Sequence, residues 1–220
     1  MINIAIDGPS ASGKSTIAKQ LAKKLGYIHI DTGAMYRAVA LECLNRNVDL
    51  DNETACYDVA RVSDISLKTD GSIFVNGDDV SRLIRTDAVS QGASKVSKFK
   101  SVRELLVDKQ RKIAAKKGFV LDGRDITSVV LPDAEVKIYQ TADVAVRAKR
   151  RFDELSAAGF DVNYDSLFDE LVERDERDMN RSESPLVKVA DALEINTTHL
   201  SVDEVVNLVM GYIESRGLND

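Results

Sequence analysis

Short apolar runs alternate with longer stretches of helical periodicity along most of the chain. Five of these runs have the length of buried strands and lie at residues 2–6, 27–30, 119–121, 136–139 and 193–195. After the first run, Ile17, Leu21 and Leu25 lie on one face of a predicted helix over residues 15–25. The alternation predicts an α/β fold, with a five-stranded parallel sheet flanked by helices on both faces.

Capping residues predict where several helices begin and end. Gly26 stands where the C-cap glycine of the first helix is expected. Ser101 and Ser201 are each followed three residues later by Glu, which is the capping-box spacing. Helices are accordingly predicted to begin at Ala34, Thr86, Ser101, Thr141, about Asp165 and Ser201.

Residues 63–85 break the α/β pattern. Apolar and polar residues alternate on both sides of Asp70-Gly71, a strong hairpin-turn signal, with Ile65 and Leu67 before it and Ile73 and Val75 after it. This predicts a small β insert. Two roles stay open for it: surface decoration, or a flap over an acceptor substrate.

Residues 8–16 carry the most specific motif of the chain. Residues 8–15 read G-x-x-x-x-G-K-S and lie between a predicted strand and a predicted helix, as a P-loop does. In such a loop the backbone N–H groups and the helix N-terminus bind phosphates. Lys14 would reach the β and γ phosphates, and the Ser15 hydroxyl would hold Mg²⁺. The predicted nucleotide-binding residues are Gly8, Pro9, Ser10, Ala11, Ser12, Gly13, Lys14, Ser15 and Thr16.

Composition narrows the class of protein. The 220 residues, 44% of them hydrophobic, can build one main domain with a full core. A formal charge of -6 argues against a general nucleic-acid or anionic-membrane binder. Because Asp7 interrupts the apolar N-terminus and no apolar run has membrane-spanning length, we expect neither a signal peptide nor an anchor, and a cytoplasmic protein.

Cysteine and histidine give no sign of a disulfide framework or a zinc site. Cys43 and Cys56 lie outside any C-x-x-C motif, and His29 and His199 are the only histidines. All four are interpreted as packing or surface residues rather than ligands.

Polar residues follow two of the predicted strands directly. Asp31-Thr32-Gly33 comes after the second strand, with Arg37 shortly beyond, and Asp122-Gly123-Arg124-Asp125 comes after the third. In open parallel sheets the ligand crevice lies outside the carboxyl ends of the strands. These residues are therefore candidates for a binding site.

Two later helices concentrate charge on one face. Arg147, Arg150 and Arg151 share a face of the first, which indicates either a solvated surface or a mobile clamp for an anionic ligand. On the second, Arg174, Asp178 and Arg181 fall at spacings of four and then three residues.

These residues favour one class of P-loop protein. A guanine-nucleotide switch is excluded, because the chain contains neither D-x-x-G nor N-K-x-D. A kinase needs cationic groups for the transferred phosphoryl group and its acceptor, and the arginines supply them. A kinase with another small acceptor and a nucleotide-binding regulatory module without an acceptor remain the alternatives.

Several motifs in series resemble those of the bacterial cytidylate kinase family. The matching stretches are DGPS at 7–10, DTGAMYR at 31–37, DDVS at 78–81, IRT at 84–86, LDGRD at 121–125, PDA at 132–134, ERD at 173–175 and NR at 180–181. The resemblance covers nearly the whole chain and implies transfer of the γ-phosphate of ATP to CMP or dCMP, with Mg²⁺ as cofactor.

The resemblance also implies roles for individual residues. The base would be bound by Thr32, Arg103 and Asp125, the sugar by Ser94, Arg174 and Asp178, and the acceptor phosphate by Arg37, Arg124 and Arg181. Lys14, Arg124, Arg181, Arg147 and Arg151 would act on the transferred phosphoryl group. Family members often have Ser where this chain has Thr32.

The expected organisation is a single P-loop kinase domain over residues 1–220. Its core would comprise about 1–36, 86–146 and 166–220, its acceptor (NMP-binding) region with the β insert about 37–85, and its helical lid about 147–165. The expected partners are ATP, CMP and dCMP, without nucleic acid or membrane, and the expected state is a monomer.

Overall fold

The computed structural model describes residues 1–68 and 70–218, and the rest of the predicted domain, residues 69, 219 and 220, lies outside them. The strands are β1 (Asn3–Asp7), β2 (Ile28–Asp31), β3 (Ile65–Leu67), β4 (Ile73–Val75), β5 (Asp78–Asp79), β6 (Phe119–Gly123), β7 (Val136–Thr141) and β8 (Leu193–Asn196). The α-helices are α1 (Lys14–Leu25), α2 (Thr32–Asn45), α3 (Glu53–Val62), α4 (Asp87–Val96), α5 (Lys100–Ala114), α6 (Val144–Ala157), α7 (Tyr164–Asn180) and α8 (Val202–Ser215). Two shorter turns complete the fold, a 3-10 helix at Leu83–Arg85 and a π-helix at Ile126–Val130.

Five strands form one sheet in the order β2-β6-β1-β7-β8, and every neighbouring pair is parallel. β1 is central, and all five of its residues are buried. In the register of the sheet, Asp7 lies opposite Gly123 and Asp31 lies opposite Asp122. The carboxyl ends of β1, β2 and β6 therefore meet at one edge, and the predicted fold class is confirmed.

Helices cover both faces of this sheet. Ile4 and Ile6 of β1 belong to a core cluster with residues of α1 and α8, such as Leu21 and Val209. Ala5 points the other way and belongs to a cluster with residues of α5. Because neighbouring strand residues face opposite sides, the continuous apolar run of β1 is what a doubly covered strand requires.

The β insert is a small antiparallel sheet with the order β3-β4-β5. Ile73 and Val75 are almost completely buried in a separate core with apolar residues of α2, α3, α4 and α5. The insert is thus packed against these four helices, and its assignment to an acceptor region stays a prediction. The third strand, β5, was not predicted, and whether the insert acts as a flap stays a prediction.

Several predicted helix starts are wrong by a few residues. α2 begins at Thr32, ahead of the predicted Ala34, because the Asp31 side chain accepts a hydrogen bond from the Ala34 N–H and caps the helix. α6 begins at Val144, since Thr141 is still paired in β7. α3 was not predicted at all, although Asn52 caps it.

The two predicted capping boxes have different outcomes. At Ser201 both reciprocal hydrogen bonds with Glu204 are present, so this prediction is confirmed. At Ser101 the box is wrong: α5 begins at Lys100, and the Ser101 hydroxyl donates to Glu53 at 2.8 Å instead. Thr86 precedes α4 as predicted, but its hydroxyl donates back to the Leu83 carbonyl.

Across residues 1–68 and 70–218, no helix combines the length and the apolar character needed to cross a membrane.

Candidate active site

The loop between β1 and α1 depends on its two glycines. Gly8 has a φ of 152°, and a β carbon there would lie 1.9 Å from the Gln140 carbonyl oxygen. Gly13 is the N-cap of α1 in the left-handed region, with a φ of 88°. The loop can therefore press against β7 and still turn its backbone toward the helix.

Lys14 is folded into this loop. Its side-chain nitrogen donates to the Pro9 carbonyl at 2.6 Å and to the Ser12 hydroxyl at 3.3 Å, and the residue is 5% exposed. Burial, with a further contribution from the nearby positive charge of Arg124, holds the pKa of Lys14 well below its usual range. A cation in such surroundings is well placed to gain from an anionic ligand.

Ser15, Asp122 and His29 form a hydrogen-bonded row beside the P-loop. The Ser15 hydroxyl donates to Asp122 Oδ2 at 2.7 Å, and His29 Nε2 lies 2.6 Å from Asp122 Oδ1. Asp122 is 4% exposed. One buried carboxylate thus joins α1, β6 and β2.

Two polar groups hold the Ser12 carbonyl of the P-loop from the opposite side. Gln140 Nε2, at the end of β7, donates to it at 2.5 Å, and the Thr197 hydroxyl lies 3.3 Å from it. Arg150 donates to the carbonyl and hydroxyl oxygens of Thr197. Arg150 therefore helps to stabilise the P-loop through Thr197.

The three arginines of α6 have three different environments. Arg147 is buried and donates to the carbonyls of Ser10 and Ala142, and it pairs with Asp175 at 2.6 Å. Arg151 pairs with Glu154, one turn away on the same helix, at 3.0 Å. The shared helical face seen in the sequence thus divides into separate contacts.

A buried ion pair stands at the carboxyl edge of β6. Arg103, on α5, donates to the Asp125 carboxylate and to the Ser97 carbonyl. Both side chains are at least nine-tenths buried, and the Arg103 guanidinium lies 5.4 Å from the centre of the Tyr36 ring. This surrounds Asp125 with fixed groups from two helices.

A second pair joins the same edge to α7. Arg124 Nε donates to Asp178 Oδ2 at 2.8 Å, and Arg181 lies 4.0 Å from Asp178 Oδ1. Burial alone would raise the pKa of Asp178, but Arg124 and Arg174 outweigh it and hold the pKa below its ordinary value.

Positive charge is crowded around these pairs. Burial, and next the neighbouring Arg124, lower the pKa of Arg174 to about 10, and its Nε has no hydrogen-bond partner within the described protein. Arg181 Nη2 is likewise buried without such a partner. Guanidinium groups held this close repel one another, and an anion among them would relieve the repulsion.

The remaining predicted acceptor residues lie around this cluster. Arg37 pairs with Asp31 at 2.6 Å, and the Thr32 hydroxyl donates to the Asp122 carbonyl. The Ser94 hydroxyl accepts a hydrogen bond from Arg177 at 2.9 Å. The structure therefore brings residues from α2, α4, α5, α7 and the loop after β6 to one region beside the P-loop.

Sequence reasoning missed several supporting residues. Asp7, fully buried, accepts hydrogen bonds from the Ile126 N–H at 2.8 Å and from the N–H and hydroxyl of Thr127 at 2.7 and 2.6 Å. Burial raises the pKa of Asp7 to about 6. A polar residue at the carboxyl end of a strand was the available signal for Asp7 and Gln140, and it is the signal that made Asp122 a candidate.

A P-loop after a central parallel strand, beside a cluster of buried and half-buried arginines, defines a P-loop kinase. A solved shikimate kinase from Bacteroides thetaiotaomicron shares the fold, with a TM-score of 0.52 and 12% identity over 97% of this chain and 98% of its own. An uncharacterized protein from Eubacterium ventriosum aligns with a TM-score of 0.54 and 17% identity, covering 97% of this chain and 98% of its own.

Sequence comparison gives the family. The cytidylate kinase family model matches residues 4–215. The cytidylate kinase of Bacillus subtilis (strain 168) is 50% identical over 218 residues, covering 98% of this chain and 97% of its own. That of Caldicellulosiruptor saccharolyticus is 51% identical over 212 residues, covering 95% and 94%. The chain belongs to the cytidylate kinase family.

Proposed function

We propose that the protein transfers the γ-phosphate of ATP to CMP or dCMP, giving ADP and CDP or dCDP. The observation that carries the proposal is the buried Arg103–Asp125 pair beside Arg124, Arg174 and Arg181, next to a P-loop. Sequence comparison supports the proposal, because about half of the residues are identical to those of curated cytidylate kinases over nearly the whole length of those proteins.

Asp125 is proposed to select the base. Cytosine presents an amino donor where uracil presents an acceptor oxygen, so a fixed carboxylate attracts the first and repels the second. Arg103 holds Asp125 in place through their buried pair, and the Thr32 hydroxyl lies on the same edge of the sheet. Arg103 and Thr32 complete the proposed base site.

The arginines are proposed to bind the acceptor phosphate and the sugar. Guanidinium groups bind phosphate oxygens in a bidentate manner, which suits Arg37, Arg124 and Arg181. Ser94, Arg174 and Asp178 are assigned to the sugar. The hydrogen bond from Arg124 to Asp178 would hold the phosphate-binding and sugar-binding residues in fixed positions relative to each other.

The donor side is assigned to residues 8–16, with Lys14 at the β and γ phosphates. Ser15 and Asp122 offer a hydroxyl and a carboxylate whose oxygens are 2.7 Å apart, the hard oxygen donors that Mg²⁺ prefers. These two residues fit the metal and would hold it with the nucleotide. When bound, Mg²⁺ would neutralise part of the phosphate charge.

No general base is needed in this proposal. A phosphate monoester has a second pKa of about 6 and is largely a dianion at neutral pH, so the acceptor is already a nucleophile. The protein then aligns the two phosphates and neutralises charge. Arg147 and Arg151 are assigned to the transferred phosphoryl group, and closure of the lid over about residues 147–165 would exclude water.

All residues of the proposed site lie on one chain, so the proposal requires no second subunit. The monomeric state and the cytoplasmic location stay predictions from the sequence. Sedimentation velocity at several protein concentrations checks the first of them.

The decisive test uses ATP with a radioactive γ-phosphate and measures which product contains the label. With CMP present, the label should appear in CDP, one CDP for each ADP. A regulatory module without an acceptor would release the label as inorganic phosphate, with or without CMP, and would overturn the proposal. The Lys14→Met variant, purified in parallel, controls for contaminating kinases.

A further inference from the structure

His29 lies on β2, outside the P-loop and outside the arginine cluster. It is two residues before Asp31, and in the parallel register Asp31 is opposite Asp122 of β6. Because side chains alternate along a strand, His29 and Asp31 share a face of the sheet with Val120 and Asp122. The same face is covered by α1, whose apolar residues cluster with Val120.

The contact between His29 and Asp122 is short and buried. Nε2 lies 2.6 Å from Asp122 Oδ1, and the two side chains are 8% and 5% exposed. An ionised carboxylate can only accept hydrogen bonds, so Nε2 is the ring nitrogen that carries the proton. His29 therefore donates to the oxygen of Asp122 that Ser15 leaves free.

Asp122 has a competing cation nearby. The negative charge of Asp122 is close enough to Lys14 to raise the pKa of the Lys14 ammonium, although burial lowers that pKa by more. A buried carboxylate with one unpaired oxygen would turn toward such a partner. The hydrogen bond from His29 opposes this rotation and keeps Oδ2 directed at Ser15.

We propose that His29 is a positioning residue for the Mg²⁺·ATP site: it fixes the Asp122 carboxylate so that Asp122 and Ser15 bind the metal of the nucleotide together. Partners that orient a ligating carboxylate typically change metal affinity about 10- to 100-fold. The inference rests on the proposed function only in its use of Mg²⁺·ATP and requires nothing of the acceptor.

The test measures ATP binding by calorimetry without any acceptor, once with Mg²⁺ and once with EDTA. The ratio of the two dissociation constants is the gain in ATP affinity that the metal provides. In His29→Phe this gain should fall about 10-fold or more, while ATP affinity in EDTA stays within about twofold of the wild type. A purely structural role of His29 would weaken ATP binding in both conditions alike.

Two further variants separate the hydrogen bond from the loss of the ring. His29→Gln can place an amide N–H near the position of Nε2 and should keep most of the metal-dependent gain. His29→Asn is shorter and should behave like His29→Phe, which keeps the test valid if the Phe variant does not fold. An unchanged gain in His29→Asn, or an equal loss in His29→Gln, would overturn the proposal.

The test also separates this inference from the proposed function. If CMP proves not to be the acceptor, the ratio of ATP affinities can still be measured and still decides the role of His29. If ATP binds the wild type equally well with Mg²⁺ and with EDTA, both the metal assignment and the role of His29 fail.

Discussion

Arg103 and Asp125 form a buried ion pair that joins α5 to the loop after β6, and the pair lies beside the arginines proposed for the acceptor. Because the Asp125 carboxylate is fixed by this contact and by its surroundings, it presents a hydrogen-bond acceptor at a constant position. This rigidity favours a selective base site, since a mobile carboxylate could turn away from uracil.

Asp125→Asn should reduce the preference for CMP over UMP. The amide can donate to the uracil oxygen as well as accept from cytosine, so the ratio of kcat/KM values should fall about 10- to 100-fold. Steady-state kinetics with both nucleotides measure it. Asp178→Asn is the matched control: it should lower kcat/KM for CMP and UMP by similar factors. An unchanged ratio in Asp125→Asn would remove this residue from base recognition.

Lys14→Met should reduce kcat by at least about 10²- to 10³-fold while the fold is kept. The Lys14 ammonium is buried at a cost in solvation, so an apolar side chain of similar length should leave the melting temperature unchanged or raise it. Lys19→Met, on the exposed face of α1, should change neither quantity. Circular dichroism and the kinase assay together check the prediction, and a lost fold would leave Lys14 with a structural role instead.

Arg147 and Arg151 should differ in their effect on stability. Arg147→Met leaves the buried Asp175 carboxylate unpaired and should cost about 3 kcal/mol of unfolding free energy. Arg151→Met removes only a partly exposed pair within one helix and should cost less than about 0.5 kcal/mol. Urea unfolding of both variants measures the difference. Equal losses would contradict the buried environment assigned to Arg147.

Asp7 should make stability depend on pH in the direction opposite to most carboxylates. Its pKa is about 6 in the folded protein, above the ordinary 3.8, so between these values the folded state keeps a proton that the unfolded chain has released. Its contribution to stability is therefore complete below the unfolded pKa and is lost as pH rises through about 6.

The comparison with Asp7→Asn isolates this effect, because carboxylates with lowered pKa values, such as Asp178, change stability in the opposite sense. The unfolding free energy of the wild type minus that of the variant should be larger at about pH 5 than at about pH 7.5, by about 1 kcal/mol. A difference that does not vary with pH would show that Asp7 does not titrate in this range.

Local pattern was sufficient for the sheet and the P-loop. The five parallel strands follow from apolar runs whose neighbours on both faces are helices, and the turn at Gly8 follows from its glycine. α3 carried a usable signal, since Asn52 precedes Cys56 and Val59 at helical spacing, but the sequence reasoning did not use it.

Contacts between distant segments could not be predicted in the same way. Ser101 has the capping-box spacing, yet its hydroxyl donates to Glu53, 48 residues earlier in the chain. This contact exists because α3 packs on α5. His29 carries no motif, and its role depends on the register that places β2 beside β6. Helical spacing predicts that the arginines of α6 share one face. In the structure Arg147 donates to the Ser10 carbonyl of the P-loop, whereas Arg150 donates to the Thr197 carbonyl.

The measurement that tests the central claim most directly is ADP release from Mg²⁺·ATP in a coupled assay. CMP, dCMP, UMP, AMP, GMP and no acceptor are run side by side. Strong stimulation by CMP and dCMP, with much weaker stimulation by the other nucleotides, is the predicted result. Equal stimulation by all five nucleotides, or no stimulation by any of them, would contradict the proposal that Asp125 and its neighbouring arginines bind a cytidine monophosphate.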